Sequence, residues 1–74
     1  TGTIVITTAA GNISLNPSTN TLTFQNLKIS QGNGSPEGVV TAEVGSLYLR
    51  TDGGATTTLY VKTSGTGNTG WTGK

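Results

Sequence analysis

Glu37, Glu43 and Asp52 are the only carboxylates in the chain, so acid–base or glycosidic chemistry would have to be built from a pair of them. Asp52 stands before Gly53-Gly54, where an aspartate commonly stabilises a turn, and Glu37 and Glu43 fall in loops on either side of a short strand. That placement reads as structural. The sequence contains no His and no Cys, which removes the usual zinc, iron–sulfur, haem and thiol ligands. Without an imidazole, a Ser-His-Asp or Cys-His arrangement cannot be assembled within the chain. Asp52 also lacks the further acidic ligands of an EF-hand loop. The chain therefore reads as not an enzyme, with no catalytic residue, no cofactor and no metal site.

Two further motifs have chemical precedents. Gly65-Thr66-Gly67-Asn68-Thr69-Gly70 has the Gly-x-Gly-x-x-Gly spacing that cradles a pyrophosphate. That use needs a helix after the last glycine, and the four residues that follow leave no room for one, so a flexible loop is expected. Asn12-Ile13-Ser14 is formally a glycosylation acceptor and reads as the start of a strand. The aromatic residues Tyr48, Tyr60 and Trp71 would suit stacking against sugar rings, but in so small a chain packing in the core or at a subunit contact is the preferred reading. The Thr-x-Thr pairs, Thr1 with Thr3 and Thr21 with Thr23, do not recur at a fixed period and read as solvent-facing strand threonines.

A formal net charge of +1, with 9% charged residues, provides no basic stripe for phosphates, so no nucleic-acid partner is expected. No apolar run approaches the roughly 20 residues that span a bilayer, and Thr1-Gly2-Thr3 does not open a signal peptide, so no membrane insertion is expected. The absence of Cys rules out a small fold cross-linked by disulfides. With 31% apolar residues and no disulfide or metal to help, 74 residues bury too little to stand alone comfortably. Oligomerisation, or membership of a longer protein, is the implied remedy.

The elements that must carry these residues are short strands. Thr3 to Thr7 is a β-branched run, and Ala10-Gly11-Asn12 punctuates it. Ile13 and Leu15 alternate with polar residues, Asn16-Pro17-Ser18-Thr19-Asn20 reads as a turn, and Leu22 and Phe24 alternate again, so residues 12–25 are expected to form a hairpin. Leu27 and Ile29 continue on the opposite parity, which implies a bulge, a bend or a change of neighbour near Asn26. Residues 32–38 form a Gly-rich linker between an N-terminal β-hairpin region, 1–31, and a C-terminal β module, 39–74. Within that module Leu47-Tyr48-Leu49 is expected to face Leu59-Tyr60-Val61 across the turn at Asp52-Gly53-Gly54. No helix is expected, and the fold class is all-β, with short antiparallel strands and hairpins.

The second half carries a resemblance. Gly34-Ser35-Pro36-Glu37-Gly38-Val39-Val40-Thr41-Ala42, Gly45 through Gly54, Thr58-Leu59-Tyr60-Val61-Lys62 and Gly65 through Trp71 together resemble a C-terminal module of tailed-bacteriophage virion proteins, among them tail fibres and tailspike-associated proteins. The likeness covers residues 34–71; residues 1–33 share only the style of short alternating strands. The chain departs from the pattern at Glu43, where a proline usually stands, which leaves the turn into the Tyr48 strand less rigid. The resemblance implies an intertwined, fibre-like homotrimer located in the virion, in a tail or other appendage, with other phage tail or capsid proteins as partners. It agrees with the shortage of core noted above.

On this reading the chain is a structural, trimerising module of a tail fibre, spike or head fibre, with Leu47, Tyr48, Leu49, Leu59, Tyr60 and Trp71 packing the trimer. The alternative is a receptor-binding tip for host attachment that recognises cell-surface glycan through exposed loops and an aromatic residue. A binding tip exposes its aromatics in a groove, and a structural module buries them.

Overall fold

A computed structural model describes residues 2–74, the side chain of Phe24 excepted. Thr1, one half of the first Thr-x-Thr pair, lies outside the described residues. Five strands, β1 (Thr21–Phe24), β2 (Leu27–Gly32), β3 (Leu47–Arg50), β4 (Leu59–Lys62) and β5 (Trp71–Gly73), form one sheet in the order β1-β2-β3-β4-β5. No helix occurs among the described residues. The all-β class holds, but the sheet is mixed: β2 and β3 run parallel while the other three pairings are antiparallel.

The parity switch near Asn26 turns out to be a hairpin turn. Phe24 pairs with Leu27 and Leu22 with Ile29, leaving Gln25 and Asn26 as a two-residue loop. Such a loop makes even positions oppose odd ones, which is the change of parity seen in the sequence. Gln25 has φ 55°, the positive value that a II′-class turn requires at its first central residue. The hairpin expected over residues 12–25 is therefore displaced to residues 21–32. The turn at 16–20 exists, closed by Asn20 N–H donating to the Pro17 carbonyl at 3.1 Å with Asn20 at φ 57°, but it leads into β1 from a segment that is not in the sheet. Neither residues 3–7 nor Ile13 and Leu15 form a strand. β-Branched propensity is a local preference, and a strand exists only where a neighbour completes its ladder.

The β3–β4 hairpin has the expected partners, with Leu47 opposite Val61, Tyr48 opposite Tyr60 and Leu49 opposite Leu59. A carboxylate oxygen of Asp52 accepts from Gly34 N–H and from Arg50 Nε, each at 2.8 Å, tying the turn after β3 to the loop after β2. The sheet thus joins the 1–31 region to the 39–74 region through the β2–β3 pair.

A parallel pair needs a crossover, and here residues 33–46 supply it without a helix. This segment folds over one face of the sheet. Ala42 is buried there against Tyr48, Tyr60 and Trp71, with Val40 packed alongside. The rings meet edge to face, Tyr48 with Tyr60 at 6.4 Å and Tyr48 with Trp71 at 6.2 Å between centroids, a geometry that aromatic quadrupoles favour. Gly32 leaves room for the tip of the Tyr48 ring, because a β-carbon at that position would displace the Tyr48 hydroxyl.

Candidate functional site

Alternation along the strands divides the sheet into two unlike faces. Ser30, Tyr48, Tyr60 and Gly73 occupy one cross-strand row, and Lys62 lies beside Trp71 on the same face. The opposite face carries a row of Leu22, Ile29, Leu47 and Val61 that ends at Thr72 on β5, flanked by Leu49 paired with Leu59. The six residues expected to pack a trimer are therefore split by the sheet. Tyr48, Tyr60 and Trp71 are buried inside the protomer under the crossover, whereas Leu47, Leu49 and Leu59 belong to the aliphatic face.

The aromatic face is closed by polar contacts. Trp71 Nε1–H donates to the Val40 carbonyl at 2.9 Å, holding the crossover onto the ring. Glu37 Oε1 accepts from the backbone N–H of Gly70 at 3.0 Å and of Trp71 at 2.9 Å. Gly38 N–H donates to the Asn68 carbonyl, Asn68 Nδ2 donates back to the Gly38 carbonyl, and Ala42 N–H reaches the Gly67 carbonyl. Lys62 is fully buried, and its ammonium donates to the carbonyls of Ser64 at 2.7 Å and Gly65 at 3.0 Å. The Gly65–Gly70 loop, expected to be flexible, is pinned from below by Lys62 and from the side by the crossover. Gly70 fits this joint because it sits at φ 96° with the Ser64 backbone where a side chain would go.

Two of these roles escape sequence reading. Glu37 acts across more than thirty residues of chain, and nothing local marks it as a cap. Lys62 left a weaker signal, since strand alternation places it on the Tyr60 side. Asp52 does stabilise its turn. Its carboxyl is held below the usual carboxylate range, first by the Arg50 hydrogen bond and then by Gly34 N–H. Glu43 lies at the bend before β3, its carbonyl accepting from Ser46 N–H. Among the described residues no three of His, Cys, Asp and Glu gather into a group that could hold a metal ion.

The aliphatic face has no comparable cover. Leu22 is 41% exposed and Leu49 45%, while Ile29, Leu47, Leu59 and Val61 are half-buried. Leu15, Asn16 and Pro17 stand over one corner of it, leaving a cleft of about 310 Å³ against Leu22, Ile29 and Leu49. Upstream the chain carries Ile4, Val5 and Ile6 in the open, at 88%, 77% and 63% exposure. The chain as a whole exposes 5218 Å², whereas a compact monomer of this mass exposes about 4,200 Å². Its radius of gyration is 14.2 Å, against roughly 11 Å for a globule of this length. Compared with protein-family models, curated proteins and solved structures, the chain matches none.

Proposed function

We propose that the chain is a non-catalytic structural module of a bacteriophage virion appendage, a fibre or spike, that assembles as a homotrimer through its aliphatic sheet face. The observation that carries the self-association is the pairing of an uncovered aliphatic row with an excess of surface. About 1,000 Å² beyond the compact expectation, to which the wholly exposed residues 2–20 contribute, is comparable with the ~800 Å² that each partner gives to a standard interface. Small domains without disulfides or metals complete their cores by association, and a contiguous apolar patch is where that happens. The virion assignment rests on the resemblance of residues 34–71. The three described aromatics most suited to a glycan platform are buried under the crossover, and this favours a structural module over a receptor-binding tip.

Light scattering at several concentrations tests the reading directly. A mass near three times 7.5 kDa is the expected result. A well-folded species at the single-chain mass would overturn it.

A further inference from the structure

Residues 3–15 contain aliphatic side chains that the protomer does not use. Ile4 and Ile6, and likewise Ile13 and Leu15, have the two-residue spacing that puts side chains on one side of a strand, with a bend at residues 9–11 between the two pairs. Ile13 is 52% exposed and Leu15 60%, even though Leu15 already stands at the margin of the aliphatic face. Among the described residues the backbone of 3–15 donates no hydrogen bond to another backbone group; the Gly11 carbonyl accepts from Thr8 Oγ1–H at 3.3 Å, and Ser14 Oγ accepts from Asn16 Nδ2 at 3.2 Å. A strand-forming sequence with free backbone and free aliphatic side chains is suited to an extended partner surface.

The protomer's own sheet takes up this segment only at its margin: Leu15 lines the cleft beside Leu22, Ile29 and Leu49, whereas Ile4, Val5 and Ile6 remain 88%, 77% and 63% exposed. We propose that residues 3–15 of one copy lie on the aliphatic face of a neighbouring copy, Ile4 and Ile6 covering the Leu22, Ile29, Leu47 and Leu49 region that their own protomer leaves open. This rests on the self-association proposed above and names the segment and the surface that make the contact.

The absence of cysteine makes the test clean. Ile6→Cys and Leu49→Cys are prepared as separate proteins, mixed, unfolded and refolded together, and oxidised. The expected product is a disulfide-linked pair containing one chain of each kind, in excess over either like pair. The same two substitutions placed in a single chain should also link between chains. An oligomer of the expected mass without mixed cross-links, or cross-links confined within single chains, overturns the segment exchange and leaves the assembly reading standing. A single-chain mass for the unmodified protein overturns both. Ile4→Asp with Ile6→Asp supplies a second readout: it should weaken self-association roughly a hundredfold, in the range of interface hot spots, while the aromatic near-ultraviolet signal is retained. An unchanged dissociation constant would overturn the proposal.

Discussion

Replacing Leu49 with aspartate separates assembly from folding, because Leu49 lies on the aliphatic face, across the sheet from the aromatic core. Its side chain is 45% exposed in the protomer, so a subunit contact would still have about 1 kcal/mol of transfer free energy to gain from it. An aspartate forfeits that gain and adds the desolvation of a carboxylate, which is several kcal/mol when no partner charge is at hand. A loss of at least ~3 kcal/mol per subunit follows, or more than a hundredfold in association at about 1.4 kcal/mol per decade. Within the protomer the cost is of order 1 kcal/mol, the scale of strand propensity at a half-exposed position. Light scattering should find Leu49→Asp at the single-chain mass under conditions where the parent protein gives the proposed trimer's mass. Its near-ultraviolet circular dichroism, which reports on the packed Tyr48, Tyr60 and Trp71 rings, should match the parent's. If Leu49→Asp remains a trimer with unaltered dissociation, the aliphatic face is not the subunit contact and the assignment is wrong.

The aromatic face gives the reverse pattern. Trp71→Ala should cost about 3–5 kcal/mol in urea unfolding followed by far-ultraviolet circular dichroism, because it empties the ring site and frees the crossover from the sheet. An unchanged midpoint would remove Trp71 from the core. Glu37→Ala leaves the Gly70 and Trp71 amides without their acceptor and should destabilise by about 1.5–3 kcal/mol, with faster hydrogen exchange at those two amides above all. Asp52 contributes through its lowered carboxyl. A carboxylate whose folded value lies below its unfolded one stabilises above about pH 4, and that contribution fades as pH falls through the folded value. Asp52→Asn should therefore flatten the acid limb of the stability profile, more visibly at low salt than at high because the group is exposed. An acid limb identical to the parent's would show that the Arg50 and Gly34 contacts do not hold in solution.

The parts of the fold legible in the sequence are those set by near neighbours. Leu47-Tyr48-Leu49 and Leu59-Tyr60-Val61 flank a turn with strong chemistry of its own, and their pairing follows from that. The parity change at Asn26 was equally visible, but its meaning was not. A two-residue turn usually advertises itself with Asn-Gly or Gly, and here Gln25 holds the positive φ instead. Parallel pairing of β2 with β3 leaves no local trace, because its partners are set by a crossover whose cover of the sheet depends on contacts from Glu37 and Val40 to the far end of the chain. The same reason explains the candidate contact residues. The strand pattern and the resemblance put Leu47, Tyr48, Leu49, Leu59, Tyr60 and Trp71 in one group, and only the strand register separates the aliphatic members from the aromatic ones.

The parallel β2–β3 junction also dictates a sequence of events in time. The β1–β2 and β3–β4 hairpins each close over short loops and can form within microseconds, whereas joining them closes the longer 33–46 connection and is expected to be later. Ile29 and Leu47 become neighbours only at that step, so the surface through which subunits would meet does not exist before it. Refolding should then show a first-order phase, independent of protein concentration, ahead of a concentration-dependent one. A refolding trace whose earliest phase already accelerates with concentration would place subunit encounter before the crossover closes. In the order expected here, the crossover would act as a checkpoint between the folding of one chain and the proposed closure of a trimer.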